Sequence, residues 1–158
     1  MIKCKFENSD KASLRHVTVD AITTNIEQDK ILLHKRTGKI LEGEKWALPG
    51  GFLERDEKAD EAVLRELKEE TGYDGEIVKL FRINTRPDRK GEDRQNVTFV
   101  FLINACGEGG KSDWEVDEIK WFALDEIPGE NEVAFDHYEN IKLYKEYLEK
   151  KLNLPVID

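Results

Sequence analysis

Glu66, Glu69 and Glu70 stand at i, i+3 and i+4, the spacing that brings side chains together on one helix face. A helix capped by Asp56 and running to about Thr71, at about 100° per residue, puts them in the same arc as Ala59, Ala62, Val63 and Leu67, the side that must face a core. A solvated acidic helix would carry its carboxylates on the opposite side, beside Glu61 and Lys68. Carboxylates on the buried side repel one another and resist loss of water unless a cation compensates them. An oxygen-only set, with no paired His or Cys nearby, suits a hard ion, Mg²⁺ or Mn²⁺, and such ions work on phosphates. The competing reading is one more charged helix surface, since unpaired charges are normally exposed.

The flanking elements must position that helix. Alternation of Val17, Val19 and Ile22 with polar residues predicts a strand over His16 to Asn25, followed by another over Ile31 to Arg36, a hairpin turning at Asp29. Gly38 and Gly43 mark a loop, and Trp46 to Leu48 reads as a short strand stopped by Pro49-Gly50-Gly51. Gly72 stands where a left-handed terminating residue is wanted. Strands follow at about Glu76 to Asn84, Asn96 to Ala105 and Glu118 to Ala123. A last helix runs from about His137 to Leu152, with Asp136 and Glu139 at capping-box spacing and an apolar stripe of Tyr138, Ile141, Tyr144, Leu148 and Leu152. Strands interrupted by two helices predict an α+β fold, a mixed sheet between helices.

The length of 158 residues matches one domain, expected over 1–158. A hydrophobic fraction of 39% is adequate for a core, and no apolar stretch approaches the ~20 residues of a membrane span. Cys4 and Cys106 form no CxxC pair, and Met1 to Asp10 lacks the pattern of a signal peptide, so a cytoplasmic protein with reduced thiols is expected. A net charge of −9 opposes binding to a nucleic acid polymer. An anionic ligand must then be reached through a cation or local arginines.

From Gly51 the chain reads five residues, Glu57, seven residues, then Arg65-Glu66-Leu67-Lys68-Glu69-Glu70-Thr71-Gly72-Tyr73. This resembles the Nudix box, and fixed positions of residue types each used at roughly 5–10% make a chance match on the order of one in 10⁸ per starting point. The lead-in Trp46 to Gly51 and the segment Lys120 to Pro128 are also similar to the family, and only Tyr73 departs from the box, at an aliphatic position. The resemblance implies the Nudix fold and a metal-dependent hydrolase that cuts a pyrophosphate linkage in a nucleotide. It implies Glu66, Glu69 and Glu70 as ligands of Mg²⁺ (or Mn²⁺), completed by a carbonyl of Gly50 or Gly51. Glu57 and Arg65 look like the family's supporting pair behind the ligands, with a purely structural salt bridge as the other reading.

A Glu must take the proton of the attacking water. Glu66 and Glu69 are candidates on the helix; family members also recruit a carboxylate from the loop before the late strand, here Glu108, Asp113, Glu115 or Asp117, of which Glu115 is favoured because it adjoins the strand. Arg36, Arg86, Arg89 and Arg94 are candidate phosphate binders. Trp46 reads as core rather than a base-stacking ring, and His16, His34 and His137 receive no catalytic role. For the substrate, Pro87 lies about fifteen residues beyond the box, as in the family's ADP-ribose subgroup, so ADP-ribose is the first expectation and a nucleoside triphosphate the alternative. A nucleotide-sensing module without catalysis is the reading from another class, and a homodimer is left open.

Overall fold

The computed structural model describes residues 2–89, 95–110 and 112–158. Its elements are β1 (Ile2–Lys5), β2 (Lys11–Leu14), β3 (Val17–Thr24), β4 (Lys30–Arg36), β5 (Trp46–Ala47), β6 (Gly50–Phe52), α1 (Ala59–Thr71), β7 (Asp74–Asn84), β8 (Val97–Cys106), β9 (Val116–Ala123), α2 (His137–Glu149) and β10 (Val156–Ile157), with one 3-10 turn at Glu130–Glu132. Arg94 lies outside the described residues.

Strand β3 organises the main sheet. It runs parallel to β8 over its whole length, antiparallel to β6, and meets β4 only where Thr24 faces Ile31. The expected hairpin therefore opens at once, and β4 turns away to pair with β5 and β9. The order β10-β7-β8-β3-β4-β5, with β6 on β3 and β9 on β4, makes a mixed sheet of eight strands. Side chains alternate across it: Ile22, Ile31 and Leu33 pack with Ile141 and Tyr144 of α2, while Val19, Ala21 and Leu32 pack with Ala62, Val63 and Leu67 of α1. The α+β reading with a sheet between helices holds.

Several boundaries differ from expectation, each for a physical reason. Helix α1 begins after Lys58 rather than at Asp56, because the Glu61 carboxylate reaches back to accept the Lys58 N–H at 2.9 Å. It ends as expected at Gly72, whose φ of 72° is the left-handed conformation that glycine adopts without a Cβ penalty. The segment Gly50–Phe52, expected to stop a strand, is itself strand β6, with Gly50 opposite Asp20 and Gly51 opposite Val19. Asp136 precedes α2 but makes no side-chain cap; its carboxylate is taken by Arg89 and Asn84. The apolar stripe of α2 buries Ile141 and Tyr144, while Leu148 beyond them is exposed. The hairpin β1-β2, a separate two-stranded sheet, and β10, parallel to β7, carried no sequence signal that marked them. Trp46 packs edge-on against Phe122, ring centroids 4.8 Å apart, as a core residue.

Candidate functional site

The C-terminal half of α1 and the β6 backbone meet at a cleft of about 470 Å³, and Glu66, Glu69, Glu70, Gly50, Gly51, Arg36 and Glu115 all line it. The approach is close because two glycines form the strand. A Cβ on Gly50 would stand 2.2 Å from the Val19 carbonyl oxygen. On Gly51 it would press against the Glu66 carboxylate, whose Oε1 would be about 2.4 Å away. Only a residue without a side chain lets this backbone lie against the acids.

The three carboxylates are not equivalent. Glu70 is buried, its Oε2 accepting the Gly50 N–H at 2.8 Å and lying 3.4 Å from His34 Nδ1. Burial pushes its carboxyl well above the usual range, the Gly50 N–H works against this, and the charges of Glu66 and Asp113 add to the rise. Glu66 is half-buried and also raised, by burial first, with Arg65 opposing. Glu69 departs from expectation: it sits at the edge of the buried arc, with about half its side chain exposed.

Arg65 binds all around this group. It meets Glu57 at two points, 2.7 and 3.0 Å, Glu66 at 2.8 Å, Glu69 at 3.0 Å and the Phe52 carbonyl at 3.2 Å. These bonds, to Glu57 above all, raise its own proton affinity further and hold the Glu57 carboxyl below its usual range. One guanidinium nitrogen takes both Glu66 and Glu69, and among the described residues no three His, Cys, Asp or Glu side chains are gathered closely enough to hold a metal ion. The donor set nevertheless fits a hard cation. Glu70 is a buried acid without a full counter-charge, Glu66 stands beside it, and the Gly51 backbone leaves a space that a Cβ would fill.

Glu115 occupies a braced position just before β9. Its N–H donates to Asp113 at 2.9 Å and its carbonyl accepts the Thr37 N–H at 2.8 Å. Asp113 also lines the cleft and donates its own N–H to the Glu69 carbonyl, whereas Glu108 and Asp117 are not part of the lining. Arg36 lies across the Phe135 ring, 5.1 Å from its centroid; burial lowers its proton affinity, and Glu70 and Glu115 counter the effect.

The other two arginines take different places. Arg86, expected to bind phosphate, is not among the cleft-lining residues; it turns toward Asp88, at 3.7 Å, and Glu139 of α2, at 3.4 Å. Arg89 reaches the cleft wall but is buried, gripped by Asp136 at 2.7 and 2.9 Å and bonded to Thr98 Oγ1 and the Asn96 carbonyl. Its guanidinium is committed to protein rather than extended toward a ligand.

Asp20 and Phe135 line the cleft without having been singled out, and so does His137, to which no catalytic role was assigned. Asp20 is an acid in the middle of a buried strand, a signal the strand pattern contained. His137 accepts the Leu48 N–H at Nδ1, and its Nε2 lies 3.7 Å from Asp20. Phe135 is held at φ 52°, a left-handed conformation costly for a bulky residue.

The comparisons with known proteins agree with this geometry. The family profile of the NUDIX domain matches residues 14–144. The chain is 40% identical to an ADP-ribose pyrophosphatase of Methanocaldococcus jannaschii over 129 residues, 81% of this chain and 72% of that protein. It is 33% identical to a putative 8-oxo-dGTP diphosphatase of Bacillus subtilis over 65% of this chain and 63% of the relative. The fold matches a NUDIX hydrolase of Nitrosomonas europaea with a TM-score of 0.71 at 23% identity, covering 99% of this chain and 90% of the other. A matching family profile over most of the chain, with the box acids gathered on one cleft, leads to one conclusion: this chain belongs to the Nudix family and is a hydrolase of pyrophosphate bonds.

Proposed function

We propose that the chain hydrolyses ADP-ribose to AMP and ribose 5-phosphate in the cytoplasm, with Mg²⁺ or Mn²⁺ held by Glu66, Glu69, Glu70 and a carbonyl of Gly50 or Gly51. The observation that carries the reading is the junction of α1 and β6, where the box carboxylates and a side-chain-free backbone line one cleft. The choice of substrate is supported by the 40% identity to an ADP-ribose pyrophosphatase. When bound, a divalent ion neutralises phosphate charge and makes a water more acidic.

The protein's own groups supply the remaining chemistry. Glu115, braced at its N–H and carbonyl, accepts the proton of the attacking water. A new P–O bond forms as the bridging P–O bond breaks, and the leaving phosphate carries away its electron pair. Arg36, on the strand beside Glu115, lines the same cleft and faces the developing charge. Arg65 supports Glu66 and Glu69 from behind. A second reading, release of pyrophosphate from a nucleoside triphosphate, draws on the Bacillus subtilis relative.

A substrate panel with and without a chelator distinguishes them. AMP and ribose 5-phosphate from ADP-ribose, lost in EDTA and restored by Mg²⁺, is the expected result. Pyrophosphate from triphosphates with ADP-ribose untouched would move the chain to the second reading, and turnover in EDTA would remove the metal.

A further inference from the structure

Strand β4 presents Leu32, His34 and Arg36 on one side, since side chains two apart share a face. Leu32 joins the core beneath α1 and Arg36 emerges in the cleft. His34 lies between them, only 1% exposed, and neither imidazole nitrogen has a hydrogen-bond partner. A buried polar group left in this state costs stability and calls for a reason. Its near neighbour is the Glu70 carboxylate, with His34 Nδ1 3.4 Å from Oε2.

We propose that His34 is a positioning residue for Glu70, donating from Nδ1 to Oε2 so that the second carboxylate oxygen is turned toward the cation site. This rests on the reading of Glu70 as a metal ligand. The Gly50 N–H already donates to Oε2 at 2.8 Å. Among the described residues no hydrogen bond reaches Oε1, so both donors converge on one oxygen and leave the other to a ligand. No other partner commits the ring's N–H to Nε2. The contact is a few tenths of an ångström longer than an ordinary N–H···O bond, a gap that a small turn of the carboxylate onto a cation closes. Partners of this kind orient metal ligands and raise their affinity.

The test titrates the full chain with Mn²⁺ alone by calorimetry, alongside thermal melts in EDTA. His34→Leu removes the donor and keeps an apolar shape; His34→Asn places an amide nitrogen near the position of Nδ1. The expected result is Mn²⁺ binding weakened about 10–100-fold in His34→Leu, no lower melting temperature in EDTA, and recovery of most of the affinity in His34→Asn. Wild-type Mn²⁺ affinity in His34→Leu overturns the proposal. Equal weakening in both variants with lowered melting temperatures also overturns it, because that is loss of packing. If the wild-type chain itself fails to bind Mn²⁺, the reading of Glu70 as a ligand falls and the proposal falls with it. Binding lost in Glu70→Gln but unchanged in His34→Leu overturns the proposal alone.

Discussion

Glu70→Gln should stabilise the metal-free protein while abolishing its response to metal. The glutamine keeps the shape of the side chain, and its carbonyl oxygen can still accept the Gly50 N–H now bonded at 2.8 Å. What disappears is a buried charge facing Glu66 and Asp113. Because burial raises the Glu70 carboxyl in the folded state, the folded chain holds its proton more tightly than the unfolded chain, whose Glu titrates near ~4.3. Stability tied to that proton is fully present below the unfolded value and is lost as pH rises toward the folded one. Within that window each pH unit costs the wild type about 1.4 kcal/mol. For a chain of this size 1 kcal/mol moves Tm by about 2–4 °C, so the advantage of Glu70→Gln should widen by roughly 3–6 °C per pH unit. Glu66 is raised in the same direction, so some slope remains in the variant. The assay is thermal melting from pH 5 upward in EDTA, repeated with Mn²⁺, which should raise the wild-type Tm and leave Glu70→Gln unmoved. Parallel Tm-against-pH curves for the two proteins in EDTA would refute the reasoning.

Two further outcomes follow from the described contacts. Glu115→Gln should lower kcat by about 10²–10⁴-fold with little change in Tm; if kcat instead falls only in Asp113→Asn, the proton acceptor is the neighbouring acid that shares the cleft. Arg89→Met should destabilise the fold by about 3–5 kcal/mol, because it strands the Asp136 carboxylate, which is fully buried beside it. Burial alone would raise Asp136, and Arg89 holds it below the usual range, so the wild type loses this contribution as pH falls through the carboxylate range. Denaturant melts should show that loss reduced in Arg89→Met, and adding Asp136→Asn should recover part of the stability.

The part of the site visible in sequence is the part written in local spacing. Glu66, Glu69 and Glu70 lie on one helix and Gly50-Gly51 just before it, so period and composition were enough to bring them together. Partners distant along the chain were not legible. Arg86 and Arg89 are three positions apart and looked alike, yet one turns toward Glu139 and the other is bound by an acid 47 positions away. The same ion pair diverted Asp136 from the cap its position suggested, a case of a buried guanidinium outweighing a terminal N–H. Asp20 and His34 carry their meaning only once Gly50 and Glu70 lie against them. Strand and helix types came through well because burial periodicity is strong; the ends moved because side chains such as Glu61 chose where the first turn begins.

The parallel pairing of β3 with β8 also sets when the cleft can exist. Thr18 and Thr98 meet across 80 positions of chain, and β6, which carries the two glycines, takes its register from the same β3. A polypeptide emerging from the ribosome therefore makes α1 and its acids long before the strand that completes their surroundings. The direct neighbours of Glu70, Gly50 of β6 and His34 of β4, precede α1 in the chain, and β8 adds the flank of β3 on the other side. Non-local pairings of this kind close slowly compared with helix formation. The floor of the cleft thus depends on a strand held from both sides, one flank local in sequence and the other distant.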